Sequence, residues 1–226
     1  MTKNIIEEVA REILQREKRP LIVGINGMVA SGKTFFTKLL EEELKKQKIS
    51  VQTIYLDDFR HPLKYRKSLD KSLISYPLQY YDYWFDYQLV RDIFFKRIMN
   101  QKYRGFKLEV YNEKTGEYDL IKNYSIDENT IILFDGLFIF REEFEKIIDY
   151  KIYIDVDEST SLKRILVRDS TTRNEKLEEI KQKWLERSLP AQKIYLQRLN
   201  PRERANMVID NNEEGNPIIT KIRDLK

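Results

Sequence analysis

Residues 21–40 read LIVGINGMVASGKTFFTKLL, and this stretch decides the fold of the chain. Residues 21–25 form an apolar run of the kind that makes a buried strand. Residues 27–34 then match the pattern G-x-x-x-x-G-K-[ST], the P-loop motif. A helix is predicted directly afterwards, because apolar residues recur at helical spacing at Phe35, Phe36, Leu39, Leu40 and Leu44. The motif therefore lies between a strand and a helix, which is the context it requires.

The P-loop motif predicts a binding site for a nucleoside triphosphate. Its glycines let the backbone curl so that N–H groups face phosphate oxygens, and the following helix adds partial positive charge. Lys33 is expected to reach the β- and γ-phosphates, and Thr34 to place its hydroxyl on Mg²⁺. The predicted nucleotide-binding set is Gly27, Met28, Val29, Ala30, Ser31, Gly32, Lys33, Thr34 and Phe35.

The composition excludes several classes of protein. A chain of 226 residues that is 41% hydrophobic fits one large domain, or a domain with an inserted lobe. With no cysteine and one histidine, His61, the chain has no disulfide framework, thiolate site or multi-histidine metal site. The net charge of +4 is modest and both signs are interspersed, so nucleic acid is not a favoured partner. The N-terminus lacks a signal-peptide core and no apolar run approaches about 18 residues, which predicts a soluble cytoplasmic protein with no membrane span.

The order of the predicted elements is that of an α/β protein. Strands alternate with helices, which favours a parallel sheet with right-handed crossovers. After the first strand, further strands are predicted at 51–56, 130–134, 150–156 and 207–210. Helices are predicted at 2–18, from about 80 to 100, and at 142–148, 158–169, 175–188 and 190–199, with a polar break at 170–174 and a tail at 217–225.

Two irregular segments, 60–81 and 106–124, interrupt this alternation. Residues 63–81 of the first are polar and basic with scattered tyrosines, and they are predicted to be a surface excursion. In the second, residues 107–111 and 118–121 flank a turn in which Gly116 suits a positive φ, so a β-hairpin is predicted. Specificity for a substrate is expected to reside in these two segments.

Two carboxylates follow predicted strands at the edge where α/β sheets bind their ligands. Asp57 is the candidate general base for an acceptor hydroxyl, because the end of the second strand faces the P-loop in such sheets. Its neighbour Asp58 is expected to point elsewhere. Asp135 ends an apolar strand and is the candidate second ligand for Mg²⁺. The alternatives are a helix-capping role for Asp57 and a turn role for Asp135 before Gly136.

Arg164 and Arg168 lie four residues apart on one helix face, and Arg173 follows in a loop. They are candidates for clamping phosphates under a closing lid, while a generic basic helix is the alternative. The aromatic cluster at 80–87 is interpreted as packing rather than as a base-stacking platform. Asp86 within it is a candidate to accept ribose hydroxyls. His61 is interpreted as a surface-loop residue.

These motifs in this order resemble the phosphoribulokinase/uridine kinase family of P-loop kinases. The resemblance is carried by GMVASGKT, by LDDF after the second strand, by a strand ending in Asp-Gly, and by LKRILVRD followed by TR. It runs from about residue 21 to 211. It implies a P-loop nucleoside triphosphate hydrolase fold, a five-stranded parallel sheet flanked by helices, with a small hairpin lobe and a helical lid. Residues 1–226 would form one kinase domain, with 60–124 as the acceptor-binding part and 158–190 as the lid.

The resemblance also implies roles for individual residues. Asp57 matches the catalytic aspartate, with Lys33, Arg164 and Arg168 as charge stabilisers. Thr34 and Asp135 would hold Mg²⁺, and Arg168 would also contact ATP. The implied acceptor-binding set is Asp57, Tyr65, Asp86, Tyr111, Arg164 and Arg173.

The acceptor itself does not carry over from the resemblance. Uridine kinases read the pyrimidine with a histidine and an arginine near the hairpin tyrosine, whereas Tyr111-Asn112-Glu113-Lys114 has neither nearby. The expected activity is an ATP- and Mg²⁺-dependent kinase for a small hydroxyl compound, with the 5′-hydroxyl of uridine or cytidine as the first expectation. Nicotinamide riboside and pantothenate are alternatives. A nucleotide-dependent single-strand nucleic-acid binder and a regulatory ATP binder remain open as other classes, and so does a homo-oligomer.

Overall fold

The computed structural model describes residues 3–94, 98 and 105–223. Its main sheet has six strands in the order β2-β5-β1-β6-β7-β8. The bounds are β1 Leu21–Gly27, β2 Val51–Tyr55, β5 Ile131–Gly136, β6 Tyr150–Asp155, β7 Met207–Asp210 and β8 Ile218–Ile222. The first five are mutually parallel, which confirms the predicted five-stranded parallel sheet.

Strand β8 corrects the prediction that residues 217–225 form a tail. It pairs antiparallel with β7 at the edge of the sheet. Its residues alternate between exposed and half-buried, which is weaker patterning than that of the fully buried strands. Polar residues interleaved with only partly covered isoleucines leave little sequence signal for a strand at this edge.

The central strands are buried because helices cover both faces of the sheet. On one face, α1 Lys3–Leu14 and α2 Lys33–Lys46 pack against alternate residues of β1 such as Val23 and Ile25. On the other face, aromatic and aliphatic side chains from several helices pack against Ile22, Ile132 and Phe134. This two-faced burial explains why β1 and β5 read as continuous apolar runs.

The remaining helices differ in several bounds from the prediction. They are α3 Leu63–Ser68, α4 Tyr76–Asp82, α5 Tyr87–Ile93, α6 Glu158–Thr172, α7 Leu177–Lys183, α8 Leu189–Leu199 and α9 Pro201–Arg204. The predicted surface excursion therefore contains α3 and most of α4, and the predicted break at 170–174 begins only after α6 ends. A π-helical segment at Trp184–Ser188 joins α7 to α8, and the predicted helix at 142–148 is a 3₁₀ turn at Glu142–Phe144. The predicted helix end near 100 lies outside the described residues.

The predicted hairpin is confirmed as a separate two-stranded antiparallel sheet of β3 Gly105–Tyr111 and β4 Tyr118–Ser125. Gly116 has a φ of 79° in the connecting turn, which is the left-handed conformation that glycine tolerates best. Its carbonyl accepts a hydrogen bond from the Leu63 N–H at 2.8 Å. The hairpin is thereby attached to the start of α3, on the side of the molecule where the strands end.

Among the described residues, no helix combines the length and the apolarity that a membrane crossing needs.

Candidate active site

The P-loop motif lies between β1 and α2 as predicted. Gly32 caps α2 with a φ of 92°, and α2 begins at Lys33. A Cβ on Gly27 would lie 2.5 Å from the Ser31 hydroxyl and 2.6 Å from the Ile154 carbonyl oxygen, so only glycine fits there. The glycines are thus required by the curl of the loop, which leaves the N-terminus of α2 facing the space where phosphates would bind.

Two side chains from distant parts of the chain donate hydrogen bonds to backbone carbonyls of the P-loop. The Ser161 hydroxyl in α6 donates to the Val29 carbonyl at 2.8 Å. The Asn211 amide donates to the Ser31 carbonyl at 2.8 Å. Both side chains are buried. Sequence reasoning did not identify either residue, because neither belongs to a local motif.

Three strand ends meet in front of the P-loop. Asp135 on β5 is in register with Ile25 on β1 and with Tyr55 on β2. Asp57 follows β2 in a 3₁₀ turn at Leu56–Phe59. The two candidate carboxylates therefore lie on adjacent strand ends, as predicted.

Asp57 is exposed to the cleft, with 62% of its side chain accessible. Desolvation by the surrounding groups raises its pKa, but Arg60 and Lys33 outweigh it and hold the pKa below the usual range. The Arg60 guanidinium lies 2.9 Å from the Asp57 carboxylate. Asp57 is therefore ionised at neutral pH, as a general base must be.

Arg60 is a site residue that the sequence analysis did not select. It is mostly buried, and it bridges Asp57 to Glu113 in the hairpin turn, 3.6 Å away. The sequence offered one signal for Arg60: it lies three residues after Asp57, and residues three apart on a helical turn are neighbours.

Asp58 points away from Asp57, as predicted. Its carboxylate accepts two hydrogen bonds at 2.7 Å from Lys122 of β4. Burial raises the Asp58 pKa, and Lys122 offsets part of that effect. Asp58 therefore attaches the hairpin to the body of the protein.

Asp135 is 3% exposed and has a raised pKa of about 6. Burial is the main cause, while Lys33 and hydrogen bonds with Thr34 and Thr37 oppose it. One carboxylate oxygen, Oδ2, is buried without a hydrogen-bond partner. A buried, unpartnered carboxylate oxygen beside a threonine hydroxyl fits a divalent cation.

The described part of the chain contains no group of three or more histidine, cysteine, aspartate or glutamate side chains arranged to hold a metal ion. Mg²⁺ in phosphoryl-transfer sites uses one or two protein ligands together with substrate phosphates and water. The pair Thr34 and Asp135 fits that mode of binding.

Each of the three candidate lid arginines has a protein partner. Arg164 donates to the Asn211 carbonyl at 2.8 Å. Arg168 pairs with Asp169 at 2.7 Å, and Arg173 pairs with Glu113 at 2.9 Å. Arg168 and Arg173 are 44% and 39% exposed, so both are accessible to a ligand.

Apart from Arg164, which bonds to the Asn211 carbonyl, the residues predicted to bind the acceptor lie in or near the hairpin. Tyr111 accepts a hydrogen bond from Arg66 at 2.5 Å. Asp86 caps α5 by accepting from the Leu89 N–H at 2.8 Å. Tyr65 is 40% exposed, and its ring centroid lies 4.3 Å from that of His61.

His61 lies in a loop, as interpreted from the sequence, and it is half-buried. Burial lowers its pKa, while Asp86 acts in the opposite direction. The hairpin also has arginines beside it, because Arg66 reaches Tyr111 and Arg173 reaches Glu113. These contacts could not be predicted from the sequence around Tyr111, because the arginines lie on other elements.

The aromatic cluster at 80–87 is packing, as interpreted from the sequence. Tyr80, Tyr81, Phe85 and Tyr87 are all buried in the larger apolar core. Trp84 is half-buried and lies at the edge of the cluster, with its ring centroid 5.2 Å from that of Tyr80.

The fold and this site together define a P-loop phosphotransferase. Comparison with known proteins agrees, because residues 22–214 match the phosphoribulokinase/uridine kinase family. The chain belongs to that family, and it is an ATP-dependent kinase with a hydroxyl acceptor.

Individual relatives are distant in sequence. A uridine kinase from Limosilactobacillus reuteri is 26% identical over 222 residues, covering 94% of each chain. Uridine-cytidine kinase B from Dictyostelium discoideum is 29% identical over 164 residues, covering 72% of this chain and 64% of the relative. A structure described as a possible uridine kinase from Bacillus stearothermophilus superposes with a TM-score of 0.72 at 22% identity, covering 91% and 97% of the two chains.

Proposed function

We propose that this protein transfers the γ-phosphoryl group of ATP–Mg²⁺ to a primary hydroxyl of a nucleoside or nucleoside-like small molecule. The observation that carries the proposal is Asp57, an ionised carboxylate exposed to the cleft at the strand end beside Asp135 and the P-loop. The relatives named as uridine kinases make uridine and cytidine the first acceptors to test.

In this proposal, Asp57 accepts the proton of the acceptor hydroxyl as the new O–P bond forms. The bond between the γ-phosphorus and the β–γ bridging oxygen breaks, and ADP leaves. Lys33 and the arginines at 164, 168 and 173 stabilise charge on the transferring group. Mg²⁺, held by Thr34 and Asp135, would neutralise the charge that develops between the β- and γ-phosphates.

Acceptor binding is proposed for the side chains around the hairpin: Tyr65, Asp86 and Tyr111. Nicotinamide riboside and pantothenate remain alternative acceptors. Single-strand nucleic-acid binding is less well supported, because four rings of the aromatic cluster are buried and unavailable for stacking. Cytoplasmic location and self-association stay predictions.

The test is ADP release with ATP–Mg²⁺ and a panel of uridine, cytidine, nicotinamide riboside and pantothenate. We expect Asp57→Asn to lower kcat by about 10²- to 10⁴-fold and to leave the ATP affinity within a few-fold, because a general base acts on the chemical step. Asp58→Asn is the matched control, since Asp58 contacts Lys122 instead of the cleft. We expect it to reduce thermal stability and keep kcat within a few-fold.

If no acceptor raises ADP release above the acceptor-free rate, the proposed function is wrong. If Asp57→Asn keeps full activity on an accepted substrate, the kinase remains but Asp57 is not its base.

A further inference from the structure

Two arginines outside the catalytic set share one aromatic ring on the acceptor side of the cleft. Arg66 lies in α3, and Arg187 lies in the π-helical segment between α7 and α8. Their guanidinium carbons are 4.7 and 5.1 Å from the Trp84 ring centroid. We call Arg66 and Arg187 the arginine pair.

Each member of the arginine pair also lies over a second ring. Arg66 is 5.0 Å from the centroid of Tyr111, and Arg187 is 4.6 Å from that of Tyr80. Aromatic faces attract a guanidinium and leave its N–H donors free to bind a ligand at its edge. The two cations are thus positioned by rings rather than by acids.

Within the described part of the chain, neither arginine has a carboxylate within 4.0 Å. Other arginines of the same region do have one: Arg60, Arg141, Arg173 and Arg198. Arg66 donates to the His61 carbonyl at 2.8 Å and to the Tyr111 hydroxyl. Among the residues described, Arg187 donates one hydrogen bond, a long one of 3.5 Å to the Tyr76 hydroxyl, and its Nε is buried without a partner.

The arginine pair lies next to the candidate base rather than on a remote surface. Tyr80, which lies beneath Arg187, is close enough to Asp57, Arg60 and Arg168 for their charges to act on it. Burial lowers the pKa of Arg66, and the charges of Arg60 and Arg187 similarly act on it in that direction. The backbone joins the two places as well, because the His61 N–H donates to the Trp84 carbonyl at 3.0 Å and Arg60, which contacts Asp57 at 2.9 Å, pairs with Phe85 in a β-bridge. The P-loop provides a separate place for the triphosphate, so these two charges remain for the acceptor.

We propose that Arg66 and Arg187 bind an anionic group of the acceptor, a carboxylate or a phosphate, at the end remote from the hydroxyl that reacts. The inference rests on the proposed function and narrows its acceptor to acidic hydroxyl compounds, of which a riboside with a charged base is one form. An anion would satisfy unpartnered N–H donors, whereas a neutral acceptor would leave two positive charges without a carboxylate or phosphate partner.

The experiment measures kcat/KM for pairs of acceptors that differ in one anionic group. Nicotinic acid riboside with nicotinamide riboside, and pantothenate with pantothenol, test a carboxylate. Ribulose 5-phosphate with ribulose tests a phosphate, and uridine serves as the neutral nucleoside reference. We expect the acidic member of at least one pair to have a kcat/KM at least about tenfold higher, because hydrogen bonds to a charged group discriminate by that amount or more.

Variants then assign the preference to the arginine pair. We expect Arg187→Gln and Arg66→Gln each to raise KM for the preferred acid by about 10- to 100-fold, with KM for ATP and kcat within a few-fold. Arg198→Gln is the matched control, because Arg198 also lies over a tyrosine ring, 5.3 Å from the centroid of Tyr81, but pairs with Asp82. It should keep the preference. If the glutamine variants fold poorly, Arg66→Lys and Arg187→Lys replace them in the test. These variants keep the charge and should keep part of the preference for the acid.

The inference is wrong if no pair shows a preference for its acid, or if the preference survives in folded Arg66→Gln and Arg187→Gln. Phosphorylation of uridine with no preference for any acid would overturn the inference and leave the proposed function standing. Failure of every acceptor, uridine included, would overturn the proposed function itself.

Discussion

At the scale of single residues, Arg60 helps to keep the candidate base, Asp57, ionised by lowering its pKa. It lies 2.9 Å from Asp57, and a hairpin carboxylate, Glu113, contacts its other side. The pKa of Asp135, at the end of the adjacent strand, moves the other way, because burial raises it to about 6. Two carboxylates with pKa values moved in opposite directions suit two different tasks, accepting a proton and holding a cation.

Arg60→Gln should move the acid limb of the pH profile of kcat/KM to higher pH. Asp57 works as the ionised form, and removing the main positive charge beside it raises its pKa above the wild-type value. The measurement is kcat/KM for an accepted substrate over the pH range in which the protein stays folded. Arg60→Lys keeps the charge and should keep the acid limb low. An acid limb that does not move in an active Arg60→Gln variant would contradict this account of Asp57.

Asp135→Asn should stabilise the protein in the absence of nucleotide and Mg²⁺ at pH 8. The folded-state pKa of about 6 exceeds the ordinary value of 3.8 for an aspartate, so the ionised carboxylate costs stability above pH 6. That cost is roughly 2 to 3 kcal/mol, and it disappears as pH falls below the unfolded-state pKa. Denaturant unfolding at pH 8 and at pH 4 measures the difference, which should shrink at the lower pH.

Asp127→Asn provides a control of opposite sign for that experiment. Hydrogen bonds from Thr130 and the Asn129 N–H lower the Asp127 pKa, so its ionised form contributes stability. The asparagine variant should therefore be less stable than the wild type at pH 8. Equal effects of Asp127→Asn and Asp135→Asn would contradict the assigned pKa directions.

At the scale of elements, the P-loop depends on supports that come from far along the chain. Ser161 in α6 and Asn211 after β7 each bond to a P-loop carbonyl. The same Asn211 residue accepts a hydrogen bond from Arg164 through its backbone. The phosphate-binding loop, the candidate lid helix and the end of the sheet therefore form one connected unit.

Asn211→Ala should weaken ATP binding by about tenfold. The change removes the side-chain bond to the Ser31 carbonyl and leaves a buried acceptor unsatisfied, while the backbone bond to Arg164 stays. Isothermal titration with ATP–Mg²⁺ measures the effect. Asn212→Ala is the matched control, because the Asn212 side chain contacts Asp157 and Asp210 instead of the P-loop. The account fails if both variants bind ATP alike.

At the scale of the whole molecule, the candidate catalytic groups lie together at the edge of the sheet formed by the carboxyl ends of its parallel strands. The P-loop follows β1 and Asp57 follows β2, and Asp135 lies at the carboxyl end of β5, the strand between them. The hairpin and the arginine pair lie where acceptor binding is proposed. The organisation of residues 1–226 as one domain stays a prediction.

A non-hydrolysable ATP analogue with Mg²⁺ at a hundred times its Kd should raise the midpoint of thermal unfolding by about 6 to 10 °C in one cooperative transition. Ligand binding to the folded state at that concentration adds about 2.7 kcal/mol. Lys33→Met should lose most of this shift, because Lys33 is proposed to contact the phosphates. Lys38→Met, on the exposed side of the same helix, should keep it. Two separate transitions, of which only one moves, would contradict a single domain.

Much of the fold was predictable because its signals are local. The P-loop motif needs glycine at fixed positions, and the apolar runs of β1 and β5 follow from burial on both faces. The hairpin was predictable from Gly116. Strand β8 was not, because an edge strand with alternating partial burial has no strong pattern. The end of α6 also differed, because the hydroxyls of residues 170–172 donate to the carbonyls of Val167 and Arg168 in the preceding turn.

By itself, the sequence determined the phosphate-binding loop and the candidate carboxylates, since each is specified by residue type within a short segment. Only the tertiary structure decided the surroundings of those residues. Arg60, Ser161 and Asn211 entered the site through contacts that no local pattern records, and Arg66 and Arg187 met over Trp84 from two distant helical segments. The physical reason is that the phosphate-binding loop is one continuous stretch of backbone. The side proposed to bind the acceptor is built from side chains that folding alone brings together.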